Sequence, residues 1–176
     1  AGASLGATLF AGHQADIEEV LKQADLSMYK AKEAGRNTLR FFDPAMQSAV
    51  MERAALEADL RLALRGAHFE LHYQAQVDGR GQVVGSEALV RWRHPGHGLI
   101  SPDRFIPLAE DSGLILPLGE WVLENACASL AAWSSRPELA HLGLAVNVSA
   151  RQFHRDDFVA RVLAILARTG ADPRRL

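Results

Sequence analysis

Residues 69–77 alternate between apolar and polar side chains, and this alternation constrains the fold more than any other stretch of the chain. The odd-numbered positions are apolar, and the even-numbered positions carry Glu70, His72, Gln74 and Gln76. A period of two residues places successive side chains on opposite faces of a β-strand. The segment is therefore predicted to be a strand with one apolar face and one polar face.

The rest of the sequence predicts strands that alternate with helices. After the first alternating strand, the predicted elements are a strand at 83–92, a Pro/Gly loop at 94–100, a helical stretch from 101 that Pro107 breaks or restarts, a long helix at 118–133, a strand at 142–148 and a helix at 159–166. This order favours an α/β fold with a parallel or mostly parallel sheet, which can close into a barrel.

The front of the chain predicts smaller elements and a connecting helix. Residues 3–10 and 39–42 have the composition of short strands, and a helix is predicted from Asp16 to Gly35. Residues 43–65 form a connecting helix that begins with Asp43-Pro44, a capping side chain followed by proline at the first helical position. Its stripe of leucines (Leu56, Leu60 and Leu64) is expected to be buried, either against the following domain or against a second chain.

Composition narrows the classes of function. The net charge of −2 gives no basic excess for a nucleic-acid groove, so no nucleic acid polymer is expected as a partner, although a small anion needs only two or three cations. The single Cys127 excludes an intrachain disulfide framework and fits a reducing, cytoplasmic compartment. No run of about 18 apolar residues is present, so no membrane segment is expected in this stretch. A chain running from Ala1, without Met, to Leu176 is expected to be cut from a longer protein, which could be anchored elsewhere.

Charged side chains lie on one face of the predicted strand at 83–92. Glu87, Leu89 and Arg91 share this face, which would be buried if helices covered both sides of the sheet. A lone buried carboxylate is costly unless it becomes protonated. One interpretation is a Glu87–Arg91 ion pair stretched along about 13 Å of strand. The other is metal ligation by Glu87 together with phosphate binding by Arg91.

Asn147 lies at the carboxyl end of the predicted strand at 142–148. In barrel folds this end of the strands carries the active site, and an amide oxygen can bind a hard cation beside a carboxylate. The alternative is a turn asparagine that caps the following segment.

Five sequence blocks in the second part of the chain resemble EAL domains, a family of bacterial cyclic di-GMP phosphodiesterases. They are YQAQ at 73–76, EALVRWRHP at 87–95, FIPLAE at 105–110, LGEWVL at 118–123 and NVS at 147–149. The tripeptide EAL alone would be a weak signal, but five blocks in the family's order are specific. The resemblance runs from about residue 55 to the end of the chain.

This resemblance implies a modified, TIM-like β/α barrel that hydrolyses cyclic di-GMP to linear pGpG with Mg²⁺ or Mn²⁺. By position, Glu87 and Asn147 match metal ligands of the catalytic site, Arg91 matches a contact to the ligand phosphate, and Gln74 and Leu89 match residues that line the dinucleotide site. The family commonly has Gln-Pro where this chain has Gln74-Ala75. Its remaining metal carboxylates and its catalytic lysine would follow Leu176, so the 176 residues alone are expected to be inactive.

The stretch ADLSMYKAKEAGRN at 24–37 resembles the closing motif of GGDEF diguanylate cyclases. Lys32 and Arg36 match residues that contact the GTP phosphates, and their spacing of four predicts one helical face. The alternative is an ordinary solvated basic face.

The predicted organisation is therefore the end of a GGDEF domain at 1–42, the connecting helix at 43–65 and the first part of an EAL domain at 66–176. The expected activity is phosphodiesterase activity in a longer parent protein. The alternative is a degenerate EAL domain that binds cyclic di-GMP as a sensor and passes a signal through the connecting helix. A homodimer through the EAL domain or this helix is a possible assembly.

A metal site at His94 and His97 has no third ligand at a matching spacing.

Overall fold

The computed structural model of the protein describes residues 2–11 and 16–176, which divide into two compact units, Ala1–Ala55 and Leu56–Leu176. In the first unit, strand β1 (Leu5–Ala7) pairs in parallel with β2 (Leu39–Phe41), and helix α1 (Ile17–Glu33) packs on them. The helix approaches β1 at Gly6, where a Cβ would lie 2.1 Å from the backbone nitrogen of Met28. Only glycine allows this close packing of strand and helix.

Helix α1 ends before it reaches the second of the two predicted phosphate contacts. Asp16 caps its start by accepting the Glu18 N–H, and the helix ends at Glu33. Gly35 and Arg36 then adopt φ angles of 100° and 62°. The prediction that Lys32 and Arg36 share a helical face is therefore wrong, because the chain turns into the left-handed region at Gly35 and leaves the helical path.

Helix α2 (Pro44–Ala63) runs from the first unit into the second. The Asp43 Oδ1 accepts the N–H of Ala45 at its start. Leu60 is fully buried in the core of the second unit, and Leu56 and Leu64 pack against that core. The leucine stripe is thus covered by the second unit itself.

The second unit contains an open, mixed sheet of four strands: β3 (Phe69–Val77), β4 (Val83–His94), β5 (Gly98–Ile100) and β6 (Gly143–Val146). Strand β4 pairs antiparallel with β3 and β5 and parallel with β6. The prediction of a mostly parallel sheet is wrong, because short connections join β3 to β4 and β4 to β5, and such hairpins must be antiparallel. Strand β5 lies where the sequence predicted a loop. The described residues do not form a closed barrel.

Four helices follow β5 and β6: α3 (Pro102–Ser112), α4 (Ile115–Trp133), α5 (Ala150–Phe153) and α6 (Phe158–Thr169), with a final 3₁₀ turn at Pro173–Arg175. Helix α3 continues through Pro107, where the sequence predicted a break or restart. The interruption falls instead at Gly113, whose φ of 79° ends the helix in the left-handed region.

The apolar face of the sheet and the helices enclose the core of the second unit. Trp92 is fully buried and its ring contacts those of Phe69 and Phe105. Cys127 is also fully buried, and burial raises the pKa of its thiol. No helix in the described ranges has both the length and the apolar character needed to cross a membrane.

The opposite face of the sheet is polar and open. Gln74 and Asn147 are exposed and Glu87 is half-buried. The premise that helices cover both faces of the sheet therefore fails for the described residues, and the carboxylate of Glu87 is not confined in an apolar interior.

Candidate functional site

Glu87 lies at the centre of the polar face of the sheet. In the register of the strands its Cα pairs with Gln74 on β3 and with Ala145 on β6. Asn147 lies two residues beyond Ala145, one residue past the end of β6, so it points to the same side as Ala145. The antiparallel hairpin and the parallel crossover thus bring Gln74, Glu87 and Asn147 to one face.

Asn147 and Glu87 are in direct contact. The Nδ2 of Asn147 donates a hydrogen bond of 2.6 Å to Oε1 of Glu87. The residue that caps the following helix α5 is Ser149, not Asn147. The interpretation of Asn147 as a turn cap is therefore wrong, and its side chain is directed towards the carboxylate on the neighbouring strand.

Arg91 does not pair with Glu87. Within the described residues its guanidinium donates only to the carbonyl oxygen of Val90, at 3.1 Å, so the interpretation of a Glu87–Arg91 ion pair is wrong. Four residues of extended strand hold the two groups apart, and Glu87 finds a nearer donor in Asn147.

The carboxylate of Glu70, opposite Arg91 in the strand register, is engaged elsewhere. It accepts hydrogen bonds from His72 and from Arg93, both at 2.9 Å. These two donors hold the pKa of Glu70 below its usual value, with His72 the larger cause. Glu70 therefore does not neutralise Arg91, whose charge stays available for an anionic ligand.

A cleft of about 280 Å³ opens beside these residues. The cleft is lined by residues of β4, including Leu89 and Arg91, by residues of α3 and α4, and by Asn147, Ser149 and Gln152. Glu87 does not line the cleft but contacts Asn147, which does, and Gln74 lies opposite Glu87 on the neighbouring strand. The structure thus brings together all five site residues predicted in the second unit, whereas Lys32 and Arg36 are exposed side chains of the first unit.

The Glu87–Asn147 pair fits part of a site for a hard cation. A carboxylate and an amide oxygen are the donor types that Mg²⁺ and Mn²⁺ prefer. No group of three or more His, Cys, Asp or Glu side chains arranged for a metal occurs in residues 2–11 and 16–176, so this pair would supply only some of the ligands.

His94 is not free to bind a metal. Its Nδ1 accepts the N–H groups of Gly96 and His97, and its Nε2 lies 3.2 Å from Oδ2 of Asp59. Both ring nitrogens are therefore already used in hydrogen bonds.

One feature near the site was missed from sequence. Ser149 and Gln152 form a reciprocal capping box at the start of α5, and Ser149 lies two residues after Asn147. The pattern Ser-x-x-Gln, directly after the strand predicted at 142–148, is the signal that could have identified it.

The EAL domain family matches residues 57–176. The chain is 42% identical over 175 residues to the bifunctional diguanylate cyclase/cyclic di-GMP phosphodiesterase MucR of Pseudomonas aeruginosa, covering 99% of this chain and 25% of MucR. It is 44% identical over 149 residues to the cyclic di-GMP phosphodiesterase PdeR of Escherichia coli, covering 85% of this chain and 22% of PdeR. The chain thus spans a quarter or less of these relatives.

Solved structures show the same fold. The structure described as the PaMucR phosphodiesterase in complex with c-di-GMP aligns with a TM-score of 0.66 at 45% identity, over 69% of this chain and 49% of that one. The cGMP-bound EAL enzyme Bd1971 aligns with a TM-score of 0.68 at 25% identity, over 92% of this chain and 42% of that one. The mixed α/β fold of the second unit is therefore that of EAL domain structures. The resemblance of the second part of the sequence is confirmed, and the chain belongs to the EAL domain family.

Proposed function

We propose that the protein is a metal-dependent phosphodiesterase that hydrolyses cyclic di-GMP to linear pGpG. The observation that carries the proposal is the contact between Asn147 and Glu87 beside the cleft that Arg91 lines. Relatives named as cyclic di-GMP phosphodiesterases, and the MucR phosphodiesterase in complex with c-di-GMP, support the substrate.

Two residues of the site are the proposed metal ligands, and the others are proposed to bind the substrate. The Glu87 carboxylate and the Asn147 amide oxygen would hold Mg²⁺ or Mn²⁺ together with further ligands. When bound, the metal would lower the pKa of a water molecule and stabilise charge on the phosphoryl oxygens. In the described arrangement the –NH₂ group of Asn147 faces Glu87, so binding through the amide oxygen requires this amide to turn.

Arg91, Gln74 and Leu89 would hold the dinucleotide. The guanidinium of Arg91 forms no ion pair with the described residues, and it can make paired hydrogen bonds to a phosphate. Leu89 offers an apolar contact in the same cleft, and the exposed amide of Gln74 can donate or accept. These groups bind and orient the substrate so that the scissile phosphate lies near Glu87.

The test replaces Glu87 in the full-length protein. We expect Glu87→Gln to lower Mn²⁺-dependent formation of pGpG at least about 100-fold, because loss of groups that only support a metal ligand already costs about 10- to 100-fold. Glu124→Gln, at an exposed carboxylate paired with Arg168, is the matched control. Turnover that survives Glu87→Gln undiminished contradicts the proposal. Tight binding of cyclic di-GMP by the unmodified protein without any product would instead favour the sensor.

We also propose that residues 1–42 are the end of a GGDEF domain, in which Lys32 and Arg36 contact the phosphates of GTP. The match to MucR covers 99% of this chain, the front part included, and MucR is named a diguanylate cyclase as well. Both side chains are exposed and follow one another around the end of α1. Lys32→Ala with Arg36→Ala should weaken GTP binding by the full-length protein, and Lys22→Ala should not. Equal GTP binding by all three proteins would contradict this assignment.

The remaining proposals concern the state of the protein. We propose a cytoplasmic enzyme, in a parent that could carry a membrane anchor elsewhere, and a homodimer through the EAL domain or the connecting helix at 43–65. Residues 1–176 alone should not form pGpG. Their described part supplies only one carboxylate and one amide as metal ligands, and its sheet is open. Light scattering of the full-length protein tests the dimer, and product formation by the isolated segment tests its inactivity.

A further inference from the structure

We infer that Gln152 is a positioning residue for Asn147, and that Gly119 on α4 makes the room that Gln152 needs. The inference rests on the proposed metal-dependent hydrolysis and deepens it. In this inference the buried amide of Gln152 holds the metal-binding side chain of Asn147 in place, although Gln152 itself contacts neither the metal nor the substrate.

Gln152 is a buried polar residue, 6% exposed, whose side chain forms hydrogen bonds to the segment after Asn147. Its Oε1 accepts hydrogen bonds from the backbone N–H of Ser149 at 3.1 Å and from the Ser149 hydroxyl at 3.0 Å. In return the Ser149 Oγ accepts the N–H of Gln152 at 3.2 Å. These three hydrogen bonds and the backbone bond from the Gln152 N–H to the Ser149 carbonyl oxygen, at 3.1 Å, fix the conformation of the backbone at Ser149.

Asn147 lies between two fixed points. Upstream, Val146 pairs with Ala88 in the parallel ladder of β6 and β4. Downstream, Val148 alone separates Asn147 from the Ser149–Gln152 box. With both ends held, the Cα of Asn147 has little freedom, and its amide stays within 2.6 Å of Glu87. Without the box only the upstream end would be held.

Gly119 sets the position of Gln152 from the other side. A Cβ on Gly119 would lie 1.9 Å from Nε2 and 2.3 Å from Cδ of Gln152, so no other residue fits there unless Gln152 moves. Gly119 belongs to the buried face of α4. The core helix α4 therefore positions Gln152. Gln152 in turn positions Ser149, and Ser149 positions Asn147.

This placement matters more for the chemistry than for folding. Helix α5 has only four residues, so its cap stabilises little helix. A catalytic group displaced by about 1 Å, in contrast, can cost about 100-fold in rate. Gln152 also lines the same cleft as Asn147 and Arg91, so a shift of the box changes the site directly.

The experiment measures Mn²⁺ binding by isothermal titration calorimetry, beside kcat and KM for cyclic di-GMP, in the full-length protein. We expect Gln152→Ala to weaken Mn²⁺ binding about 10- to 100-fold and to lower kcat, with KM changed less than about threefold because Arg91 is untouched. Gln152→Glu keeps an acceptor oxygen in the box and should bind Mn²⁺ within about threefold of the unmodified protein. Asp16→Ala removes the cap of α1, which is far from Asn147 in the sequence. It is the control for the loss of a helix cap and should leave Mn²⁺ binding unchanged.

A double variant tests the link to Gly119. Gly119→Ala alone should weaken Mn²⁺ binding as Gln152→Ala does. The two changes together should cost no more than the worse one, because the new methyl group enters the space that the shortened side chain leaves. If Gln152→Ala does not fold, Gly119→Ala and Gln152→Glu decide the question.

The two proposals fail in different ways. Mn²⁺ binding that is unchanged in Gln152→Ala and Gly119→Ala, but weakened in Asn147→Ala, overturns the positioning role and leaves the phosphodiesterase intact. Mn²⁺ binding and turnover that are unchanged in Glu87→Gln and Asn147→Ala overturn the proposed function itself.

Discussion

His94 at the end of β4 and Asp59 near the end of α2 are joined by a contact of 3.2 Å between Nε2 and Oδ2. The side chain of His94 is 10% exposed and that of Asp59 is 40% exposed. Because the Nδ1 of His94 already accepts two backbone N–H groups, the neutral ring carries its proton on Nε2 and donates it to Asp59. The motif EALVRWRHP therefore ends in a contact that fastens the last turns of α2 to the sheet.

Removal of this acceptor should destabilise the second unit. We expect Asp59→Ala to lower the free energy of unfolding by about 1 kcal/mol, a modest value because Asp59 is partly solvated. Asp59→Asn retains an acceptor oxygen and should lose less than half of that. Urea denaturation of the two variants measures the difference. An Asn variant as unstable as the Ala variant would show that the charge, and not the hydrogen bond, is what matters.

The leucine stripe on α2 gives a second stability prediction. Leu60 is fully buried beneath the sheet, whereas Leu62 on the same helix is 61% exposed. Leu60→Ala should cost about 2–5 kcal/mol through lost burial and a cavity, and Leu62→Ala less than about 0.5 kcal/mol. Thermal or urea unfolding of both variants is the measurement. Similar small losses at the two positions would mean that α2 does not pack on the core as described.

Much of the fold was readable because local patterns and tertiary packing agree. The alternation at 69–77 predicts β3 to the residue, and Asp43-Pro44 predicts the start of α2. Long-range features were less accessible. The antiparallel pairing of β4 with β5 depends on a hairpin through a stretch of Pro and Gly that carries no alternating pattern. Pro107 is tolerated inside α3 because packing of the helix on the core outweighs the loss of one backbone donor.

The site was readable as far as strand faces could reveal it. Period-two spacing places Glu87, Leu89 and Arg91 on one side, and the register confirms that geometry. Spacing alone cannot show which side chains meet across strands, so it left open the ion pair that the Asn147 contact replaces. The predicted shared helical face of Lys32 and Arg36 is wrong for a local reason, since the helix that carries Lys32 does not continue through Gly35.

Arg91 and Arg93 lie two residues apart on β4 and have different expected roles. Arg93 is 68% exposed and paired with Glu70, whereas Arg91 lines the cleft. Loss of a hydrogen bond to a charged phosphate costs about 1.5–3 kcal/mol, so Arg91→Ala should raise KM for cyclic di-GMP about 10- to 150-fold. Arg93→Ala should leave KM within about threefold. Steady-state kinetics of the full-length protein decides, and equal effects of both changes would remove Arg91 from the site.

The last prediction concerns the stability of the fold in acid, which depends on the ion pairs at the start of α6. Asp157 accepts hydrogen bonds from Arg155 and Arg161, both at 2.7 Å, and Arg161 also reaches Glu120 on α4. These arginines, Arg155 first, hold the pKa of Asp157 well below its usual value. A carboxylate whose pKa is lower in the folded than in the unfolded chain stabilises the fold fully above its unfolded pKa, about 3.9, and that contribution is lost as the pH falls through the folded pKa.

Asp157→Asn should therefore lower the urea midpoint at pH 7, and the gap between the unmodified protein and the variant should stay constant down to about pH 5. Below about pH 4 the gap should narrow, because Asp157 takes up a proton in the unfolded chain while it stays ionised in the folded one, and this protonation favours unfolding of the unmodified protein but not of the variant. Asp156→Asn is the matched control, since this neighbouring carboxylate forms no ion pair in the described part of the chain. A gap that stays the same at pH 7 and at pH 2.5 would mean that the amide substitution acts through packing or the helix cap, and that the ion pairs from Arg155 and Arg161 do not stabilise the fold.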